Sequence, residues 1–493
     1  MSRRQALVGT VNGGCVPLAE MVPCPPADLV GEVTGELARG GRLCAWFGVR
    51  SADGVSLVAV VAHDRDGVLL VGRSLPTRAA FPALTARHAQ AHLFEREIHE
   101  QHGFEPQGHP WLKPVRSGSD RGPGTAHFFR VDGAEVHEVA VGPVHAGIIE
   151  PGHFRFQCHG EEVLHLEIAL GYQHRGVEAA LVGGPHKATL VQMETVAGDA
   201  TIAHATAFAT VMEALGGTEA PPRAHWLRAV ALELERLANH AGDIGALAGD
   251  VAYLPTAAAC GRIRGEFLNL TALVCGNRFG RRLVRPGGCR HDLEDERRGR
   301  LADGLALAVA DTMKASDWLW ASHSARSRFE GVGVVTGSEA GELGLVGVAA
   351  RASGLARDVR RDHPAGWYRS AQLPVEVGTA GDVYSRCRVR WLELQGSAAF
   401  IRDQLAAAPA GPVAADPEPP RPDRLAVSLV ESWRGEACHV GITDGSGRFL
   451  AYKIVDPSFH NWSGLALAMR GQAIADFPIC NKSFNLSYCG HDL

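Results

Sequence analysis

The stretch that decides the fold is LELERLANHAGDIG, which spans Leu232–Gly245. Apolar side chains recur in and just before it at the spacing of one helix face, namely Leu227, Val230, Leu234, Leu237 and Ile244. The charged residues Glu233, Glu235 and Arg236 lie between them. This pattern predicts an amphipathic helix that packs one face into a core.

Two further segments, Thr201–Leu215 and Leu301–Trp320, also carry a helical pattern of apolar residues. Together with the first helix they predict a helix bundle at the centre of a large domain. Short strands are predicted on either side of this bundle, at Phe154–Phe156, Val163–Ile168, Ala437–Ile442 and Phe449–Ile454. The overall prediction is therefore an α+β fold, with a central bundle and peripheral β-structure.

The first 116 residues predict a separate, smaller α+β domain. Apolar runs of strand length occur at Leu43–Val49, Ser56–Ala62 and Gly67–Val71, separated by the turn signals Asp53-Gly54 and Asp66-Gly67. A polar helix is predicted over His92–His102. Residues 117–138 are interpreted as a linker, because SGSDRGPGT at Ser117–Thr125 is rich in Gly, Ser and Pro. The large domain then covers residues 139–493, with a Pro- and Ala-rich loop excursion over residues 406–422.

Composition excludes several classes of protein. The formal net charge of −5 gives no basic excess, so nothing indicates nucleic-acid binding. We find no apolar run of eighteen residues, and hence predict no membrane span. The Arg3-Arg4 pair leads into a weakly apolar stretch and is interpreted as coincidence rather than an export signal.

Nucleotide and local metal motifs are also missing from the sequence. There is no G-x-G-x-x-G after a strand and no P-loop, so no NAD or nucleotide site is predicted in this chain. No two of the eleven cysteines lie within three residues of each other. That spacing excludes a local C-x-x-C motif and leaves only ligands assembled in space. The cysteines are interpreted as reduced cytosolic side chains.

The segment EREIHEQHGFEPQGHPWL (Glu95–Leu112) resembles the signature of the complex I 30 kDa subunit, in which E-R-E is followed by Gly and then by G-H-P-x-L. The resemblance implies a segment that is structural and docks against neighbours. From the residues alone, it is an acidic helix that ends at a glycine cap and is followed by a proline turn.

The large domain resembles the 49 kDa subunit of complex I and, more closely, the large subunits of membrane-bound, formate hydrogenlyase-type nickel–iron hydrogenases. The matching segments follow one another in family order: GPVHAGIIEPGHFRF (Gly142–Phe156), GYQHRGVE (Gly171–Glu178), LELERLANHAGDIG, RPGG (Arg285–Gly288), RASGLARDVRRDHP (Arg351–Pro364), ESWRGE (Glu431–Glu436) and DPSFHNW (Asp456–Trp462). The resemblance implies a hydrogenase large-subunit-like fold for this domain.

Hydrogenases of this type hold nickel with four thiolates, two from R-x-C-G-x-C and two from a terminal D-P-C-x-x-C. In this chain Ala197, Ala200, Ser487 and Gly490 occupy the four aligned positions, and Cys489 is one residue out of register. Alanine cannot bind a metal, and serine is a poor ligand for a soft one. The chain ends at Leu493, the last aligned residue, so we expect no tail for proteolytic removal. We therefore predict no metal ligands in this chain and expect no nickel–iron catalysis.

Complex I provides the precedent of a quinone held by a histidine on an early turn and by a tyrosine. His153 is the candidate histidine and His145 the second choice. The tyrosine position falls near Ile202, which cannot donate a hydrogen bond, although Tyr172 or Tyr488 offers a substitute. Quinone binding therefore stays an alternative, beside purely structural turn histidines bonded to the backbone.

The sequence does retain the residues that surround the metal in the hydrogenases it resembles. Glu178 aligns with the glutamate that passes protons to and from the metal, and Arg434 aligns with the arginine over the metal cavity. His174 and Arg175 lie beside Glu178, and His204 follows the former cysteine pair. We predict a proton relay from these residues. The alternative is that their charges pair with one another and keep the old cavity closed.

The resemblance also implies partners and a location. The partners are a small, complex I 20 kDa-like subunit with a 4Fe–4S cluster, a ferredoxin-like subunit and antiporter-like membrane subunits. The chain is then a cytoplasmic subunit, peripheral on the inner face of the membrane, and any NAD chemistry belongs to the whole complex. The expected role is to couple electron transfer at the neighbouring cluster to proton or ion movement. A quinone or small-acceptor reductase and a purely structural subunit are the alternatives.

Overall fold

The computed structural model describes residues 6–116, 127–145 and 149–493. The Arg3-Arg4 pair and the Ser117–Thr125 segment of the predicted linker lie outside the described residues. The described chain combines helices and sheets, in agreement with the predicted α+β class. In these ranges, no helix has both the length and the apolar character that crossing a membrane requires.

The N-terminal unit is built around a four-stranded antiparallel sheet in the order β1-β5-β4-β3. Its elements are β1 Leu7–Thr10, β2 Cys15–Pro17, α1 Pro26–Ala38, β3 Arg42–Ser51, β4 Gly54–His63, β5 Val68–Arg73, β6 Phe81–Pro82, α2 His92–His102 and β7 Pro106–Gln107. The three strands and the polar helix predicted here are confirmed. Gly54 begins β4 at φ +137°, and a Cβ there would lie 2.4 Å from the Thr77 carbonyl oxygen, so this hairpin turn requires glycine.

A three-stranded antiparallel sheet follows, in the order β10-β9-β8. Its strands are β8 Val136–Val141, β9 His153–His159 and β10 Glu162–Ala169. Phe154 and Phe156 point from β9 into a core where each ring meets Phe477, at centroid distances of 4.8 and 5.0 Å. The two strands predicted in this region are confirmed.

Helices dominate the middle of the chain. They are α3 Val177–Leu181, α4 Thr189–Met193, α5 Thr201–Gly216, α6 Pro222–Asp250, α7 Leu254–Cys275, α8 Asp295–Ala321, α9 His323–Ser327, α10 Gly337–Glu342, α11 Gly347–Ala352, α12 Val359–Asp362 and α13 Val383–Ala406, with the short strands β11 Val284–Arg285 and β12 Gly288–Cys289. Helices α6, α7, α8 and α13 pack against one another as a bundle. Of the three helices predicted to form it, α6 and α8 belong to the bundle, whereas α5 packs mainly across β13 and β14. The loop excursion begins one residue later than predicted, because Ala406 still belongs to α13.

The chain closes with a sheet and three helices: β13 Arg424–Ser432, β14 Gly435–Thr443, β15 Phe449–Val455, α14 Pro457–Ala468, α15 Phe477–Phe484 and α16 Tyr488–His491. The sheet order is β15-β14-β13-β2, so β2 from the N-terminal unit forms its edge strand. Leu425, Val427 and Leu429 of β13 share one buried cluster with the N-terminal sheet. The two units therefore pack as one body across this sheet.

Helix α6 corrects the prediction of a single buried face. Glu233 and Arg236 are fully buried, and Glu235 is only 8% exposed. Glu233 accepts hydrogen bonds from Arg236 at 3.1 Å and from the Tyr368 hydroxyl at 2.7 Å. The apolar periodicity was a poor guide to burial here because the charged residues find partners inside the protein rather than in water.

The same buried network continues to α13, because Arg236 also pairs with Glu393 at 3.5 Å. His240 is bonded to Glu393 of α13 at 2.9 Å, and Arg351 of α11 donates to the same carboxylate at 2.7 Å. Arg351 also donates to Glu431 of β13 at 2.8 Å. Burial by itself would raise the pKa of Glu393, but Arg351 and the bonded His240 hold that pKa well below its usual range. Two helices of the bundle, α11 and the C-terminal sheet are thus joined through buried polar and charged side chains.

We expect Glu393→Gln to lower the free energy of unfolding of the full chain by about 3 kcal/mol, because it leaves Arg351 buried with one partner fewer. Urea denaturation followed by circular dichroism measures this change. Glu330→Gln is the control, since its ion pair with Arg326 is exposed to solvent and screened. Equal urea midpoints for the two variants would contradict a stabilising role for the buried network.

Candidate functional site

The two segments aligned with the metal-binding motifs meet in the structure. The first aligned segment contains Ala197 and Ala200, and the second contains Ser487 and Gly490. Arg434, on the turn between β13 and β14, donates to both carboxylate oxygens of Asp199, at 2.6 and 2.8 Å. Its Nε donates to the carbonyl oxygen of Asn485 at 2.5 Å. Asp199 lies between Ala197 and Ala200, and Asn485 precedes Ser487. Arg434 therefore holds the two segments against each other, at the place the resemblance implied.

The four aligned positions hold no metal-binding side chain. Ala197 and Ala200 are buried methyl groups in the main core. Ser487 caps helix α16 by accepting the Gly490 amide at 2.9 Å. A Cβ on Gly490 would lie 2.6 Å from the Asp456 carboxyl carbon, so a cysteine there requires Asp456 to move. These residues do not fit the four-thiolate centre of nickel–iron hydrogenases.

Cys489, the displaced cysteine, lies beside these positions. Its Sγ is 3.3 Å from the Ser487 hydroxyl, and burial foremost raises its pKa to about 12. The thiol is therefore protonated at neutral pH, which makes it a weak metal ligand and nucleophile. Throughout the described ranges, no three His, Cys, Asp or Glu side chains converge as a metal ion would require.

A chain of four buried polar side chains begins next to Gly490. Nε2 of His204 is 3.0 Å from an oxygen of Asp456, and Nδ1 of His204 is 3.0 Å from Nε2 of His439. Nδ1 of His439 is 3.0 Å from the Tyr452 hydroxyl. His204, His439 and Asp456 are at most 1% exposed, and Tyr452 is 3% exposed.

The protonation states follow from the chemistry of the partners. Burial by itself would raise the pKa of Asp456, but the bonded His204 and nearby Arg434 bring that pKa below its usual value. An ionised Asp456 only accepts, so His204 donates from Nε2, and in the neutral form of the ring its Nδ1 accepts from His439. His439 then donates from Nε2 and accepts the Tyr452 hydroxyl; burial foremost holds the pKa of His439 well below its usual value. The three hydrogen bonds point in one direction, toward Asp456.

The fold explains how these residues meet. His204 lies in the first turn of α5, which packs across β13 and β14. His439 and Tyr452 lie on the neighbouring strands β14 and β15, as diagonal neighbours on one face of the sheet. Sequence reasoning found His204 but missed His439, Tyr452 and Asp456. The only available signal was the DPSFHNW motif, whose first residue is Asp456.

Glu235 of α6 also borders the first segment. Its carboxylate accepts the backbone amides of Ile202 at 2.7 Å and Ala203 at 3.3 Å, at the N-terminus of α5. Burial foremost raises the pKa of Glu235 to about 8, against those two hydrogen bonds and with a smaller contribution from Asp199. This carboxyl group therefore holds a proton at neutral pH. Sequence reasoning placed Glu235 only among the charged residues that lie between the apolar positions of this helix.

Glu178 lies in the first turn of α3 and faces β15. Its carboxylate accepts the Ile454 backbone amide at 3.0 Å and pairs with the Lys453 ammonium at 3.0 Å. The side chain is 12% exposed, so it lies at the edge of the interior. The structure thus places this predicted relay residue against a lysine that sequence reasoning did not select.

The other predicted relay residues are distributed around this site. His174 and Arg175 are exposed, and no bond between either of them and Glu178 exists among the described residues. Arg175 donates to the carbonyl oxygens of Thr195 at 2.7 Å and Cys489 at 3.3 Å, so it too bridges the two segments. The five residues therefore do not form one cluster: His204, Arg175 and Arg434 border the aligned segments, whereas Glu178 faces Lys453.

The two quinone candidates lie on the early turn. Nε2 of His145 is 3.0 Å from the Gly152 carbonyl oxygen, and Nδ1 of His153 is 3.3 Å from that of Gly142. Both rings are thus bonded to backbone, as the structural interpretation expected. Ile202 is fully buried, and Tyr488 is 5% exposed beneath Trp462. Quinone binding at His153 or His145 stays a prediction.

Comparison with known proteins identifies relatives of this chain. A family model described as the 49 kDa subunit of respiratory-chain NADH dehydrogenase matches residues 250–423. The carbon monoxide-induced hydrogenase of Rhodospirillum rubrum is 32% identical over 353 residues, which cover 71% of this chain and 97% of that protein. NADH-quinone oxidoreductase subunit 4 of Thermus thermophilus is 30% identical over 370 residues, covering 69% and 90% of the two chains.

Two further matches extend the comparison. Formate hydrogenlyase subunit 5 of Escherichia coli is 29% identical over 438 residues, which cover 83% of this chain and 76% of that protein. One chain in the solved structure of the membrane-bound sulfane sulfur reductase, an archaeal respiratory membrane complex, superposes with a TM-score of 0.68 at 24% identity, covering 73% of this chain and 99% of that one. From its sequence relatives, the chain belongs to the family that comprises the complex I 49 kDa subunit and the large subunits of membrane-bound hydrogenases.

Proposed function

We propose that this chain is a subunit of a membrane-associated oxidoreductase complex that couples electron transfer at a neighbouring iron–sulfur cluster to proton or ion movement, without a nickel–iron centre. Its relatives are named as hydrogenase and NADH-quinone oxidoreductase subunits, and its fold matches a chain of a respiratory membrane complex. The cluster belongs to a partner, and this chain supplies groups that take up, hold and pass a proton.

The observation that carries the proposal is the hydrogen-bonded line from Tyr452 through His439 and His204 to Asp456. It ends beside Gly490, where the resemblance would put a metal ligand. Each of its three contacts is about as long as an ordinary hydrogen bond. A proton that enters one end is accommodated when each group passes its own proton to the next, so the line conducts protons without any large movement.

The driving force is electrostatic. An electron that arrives at a cluster near Asp456 adds negative charge, which raises the proton affinity of the nearest titratable groups. His204 is the best placed of these, because its imidazole is bonded directly to the Asp456 carboxylate at 3.0 Å. Oxidation of the cluster reverses the effect and releases the proton. Glu178, and the proton-loaded Glu235, extend the set of groups that exchange protons around the two aligned segments.

The partner subunits are proposed to cover the surface around the C-terminal segment. Exposed apolar side chains lie on the segments next to it: Val144, Ile149, Val182 and Val191. Glu150 accepts the Tyr488 amide at 3.3 Å, and Arg175 reaches Cys489, so these segments adjoin α16. An apolar surface beside the polar side chains of His174 and Arg175 suits a protein partner. We assign it to the small iron–sulfur subunit, through which ferredoxin-like and antiporter-like subunits hold the chain at the inner face of the membrane.

We expect His204→Gln to reduce the proton uptake that accompanies cluster reduction by at least tenfold, because glutamine cannot take up the proton that imidazole accepts. Proton uptake by the purified complex is measured with a pH-indicating dye during rapid reduction. His159→Gln is the control, since His159 is exposed and bonded only to Glu135 at 3.0 Å. Unchanged uptake in His204→Gln would contradict the relay.

We expect Glu178→Gln to abolish most ion movement while the neighbouring cluster is still reduced at its normal rate, because the amide keeps the hydrogen bond from Ile454 but cannot carry a proton. Ion movement is followed in vesicles that contain the complex. Glu342→Gln, on the exposed helix α10, is the matched control. Normal ion movement with Glu178→Gln would exclude Glu178 from the relay.

We also expect the purified complex to contain far less than one nickel per copy of this chain, because none of the four aligned positions supplies a thiolate. Inductively coupled plasma mass spectrometry measures the metal content. One nickel per chain, accompanied by hydrogen uptake, would overturn the proposed absence of a nickel–iron centre.

A further inference from the structure

The N-terminal unit inserts two charged residues beside Glu178. Glu97 of α2 pairs with the Lys453 ammonium at 2.6 Å, and Lys453 pairs with Glu178 at 3.0 Å. Arg116 pairs with the other oxygen of Glu97 at 2.5 Å and donates to the His491 carbonyl oxygen at 3.1 Å. Two carboxylates from different units thus share one ammonium, and a guanidinium completes a cluster of balanced charge.

The two carboxylates are not equivalent. Glu97 is 1% exposed and has two cationic partners, whereas Glu178 is 12% exposed and has Lys453 and one backbone amide. Burial by itself would raise the pKa of Glu97, but Lys453 and Arg116 lower it to about 2. Glu97 therefore stays ionised through the physiological pH range. Glu178 is the carboxylate of the cluster that reaches the edge of the interior.

Few other titratable groups face the cluster. Those with an electrostatic effect on its members are His102 near Glu97 and Lys453, Glu100 near Arg116, and Cys438 near Lys453. Burial foremost lowers the pKa of His102, so this histidine is neutral at physiological pH. Burial foremost holds the pKa of Cys438 well above its usual value, so the thiol is neutral as well. Glu97, Arg116 and Lys453 are consequently the charges in direct contact within the cluster.

We propose that Glu97 and Arg116 of the N-terminal unit set the proton affinity of Glu178 through the shared ammonium of Lys453. The N-terminal unit then acts as a tuning element of the relay rather than only as a docking module. This inference rests on the relay role that the proposed function gives to Glu178. Its physical content is that Lys453 stabilises the Glu178 carboxylate less because the same ammonium also faces Glu97.

The proton balance of this arrangement is simple. When Glu178 takes up a proton, its bond to Lys453 becomes a neutral hydrogen bond and the ammonium interacts mainly with Glu97. When Glu178 releases the proton, Lys453 is shared again. Arg116 keeps Glu97 ionised in both states, because it remains paired at the far side of that carboxylate. A displacement of α2 would change the sharing and hence the proton affinity of Glu178.

Two variants test the inference with effects of opposite sign. We expect Glu97→Gln to lower the pKa of Glu178 by about one pH unit, because a neighbouring negative charge is lost and Lys453 is left to Glu178 alone. We expect Arg116→Gln to raise it by about one pH unit, because a positive charge is lost and Glu97 draws Lys453 away. Infrared difference spectra of the full chain report the Glu178 titration as the carboxyl band that disappears in Glu178→Gln.

Glu436→Gln is the matched control. Glu436 is a buried carboxylate of β14 that joins the two units by pairing with Arg42 of β3 at 2.6 Å, but it does not contact Lys453. We expect its loss to leave the Glu178 titration unchanged. A titration that stays unchanged in both test variants, or moves in the same direction in both, overturns the inference. Either variant alone decides it if the other does not fold.

The titration is independent of the activity of the complex, so the two proposals can fail separately. Shifts of opposite sign, together with normal ion movement in Glu178→Gln, would support the tuning of Glu178 and refute its relay role. Loss of ion movement in Glu178→Gln with no shift in either variant would support the relay and refute the tuning by the N-terminal unit.

Discussion

Arg434 makes one set of contacts that the site as a whole requires. Its guanidinium bonds both oxygens of Asp199 and the carbonyl of Asn485, and it lies 4.0 Å from the ring centroid of Trp433. A bidentate pair with a carboxylate fixes both distance and orientation. Because Asp199 and Asn485 belong to the two segments aligned with the metal-binding motifs, the contacts of Arg434 join these two segments.

Most of the charged residues inside the chain obey a related constraint, which is that buried charge must be paired. This pairing is seen for Glu233 with Arg236, for Glu393 with Arg351, and for Lys453 with its two glutamates. Such pairs add little net stability compared with apolar packing, but the loss of one partner is costly. They therefore fix the geometry of the helices and strands that meet at the site. The proposed relay depends on that rigidity, because its hydrogen bonds must stay aligned.

The sequence predicted the elements of the fold better than it predicted the site. Strand alternation and helix spacing located β3, β4, β5, α2 and α5, because these signals are local and each element presents an apolar face. The burial of α6 was underestimated, since periodicity treats Glu233 and Arg236 as solvent-facing. Only the tertiary structure shows that Arg360 and Tyr368, more than a hundred residues away in sequence, are the partners of Glu233.

The site was also only partly predictable from the sequence, because some of its contacts depend on the tertiary structure. The resemblance identified the two aligned segments, His204 and Arg434, because these residues lie within recognisable motifs. His439 lies in a fully buried strand, and its contact with His204 depends on how α5 crosses β14, which no local pattern specifies. Lys453 is easier to recognise from the sequence, because it is the only charged residue in the apolar strand FLAYKIV. A charge in such a strand requires a buried partner, and Glu97, 356 residues earlier in the chain, provides it.

Strand β15 keeps the hydrogen-bonded line that ends at Asp456 apart from the cluster around Glu178. Alternate side chains of a strand point to opposite faces of the sheet, so Tyr452 faces α5 and His439, while Lys453 faces the N-terminal unit. The line that ends at Asp456 and the cluster around Glu178 are therefore separated by one layer of backbone. Glu178 meets this strand at two consecutive residues, because it accepts the Ile454 amide and pairs with the Lys453 ammonium. The same short strand therefore positions Tyr452 in one polar group and Lys453 in the other.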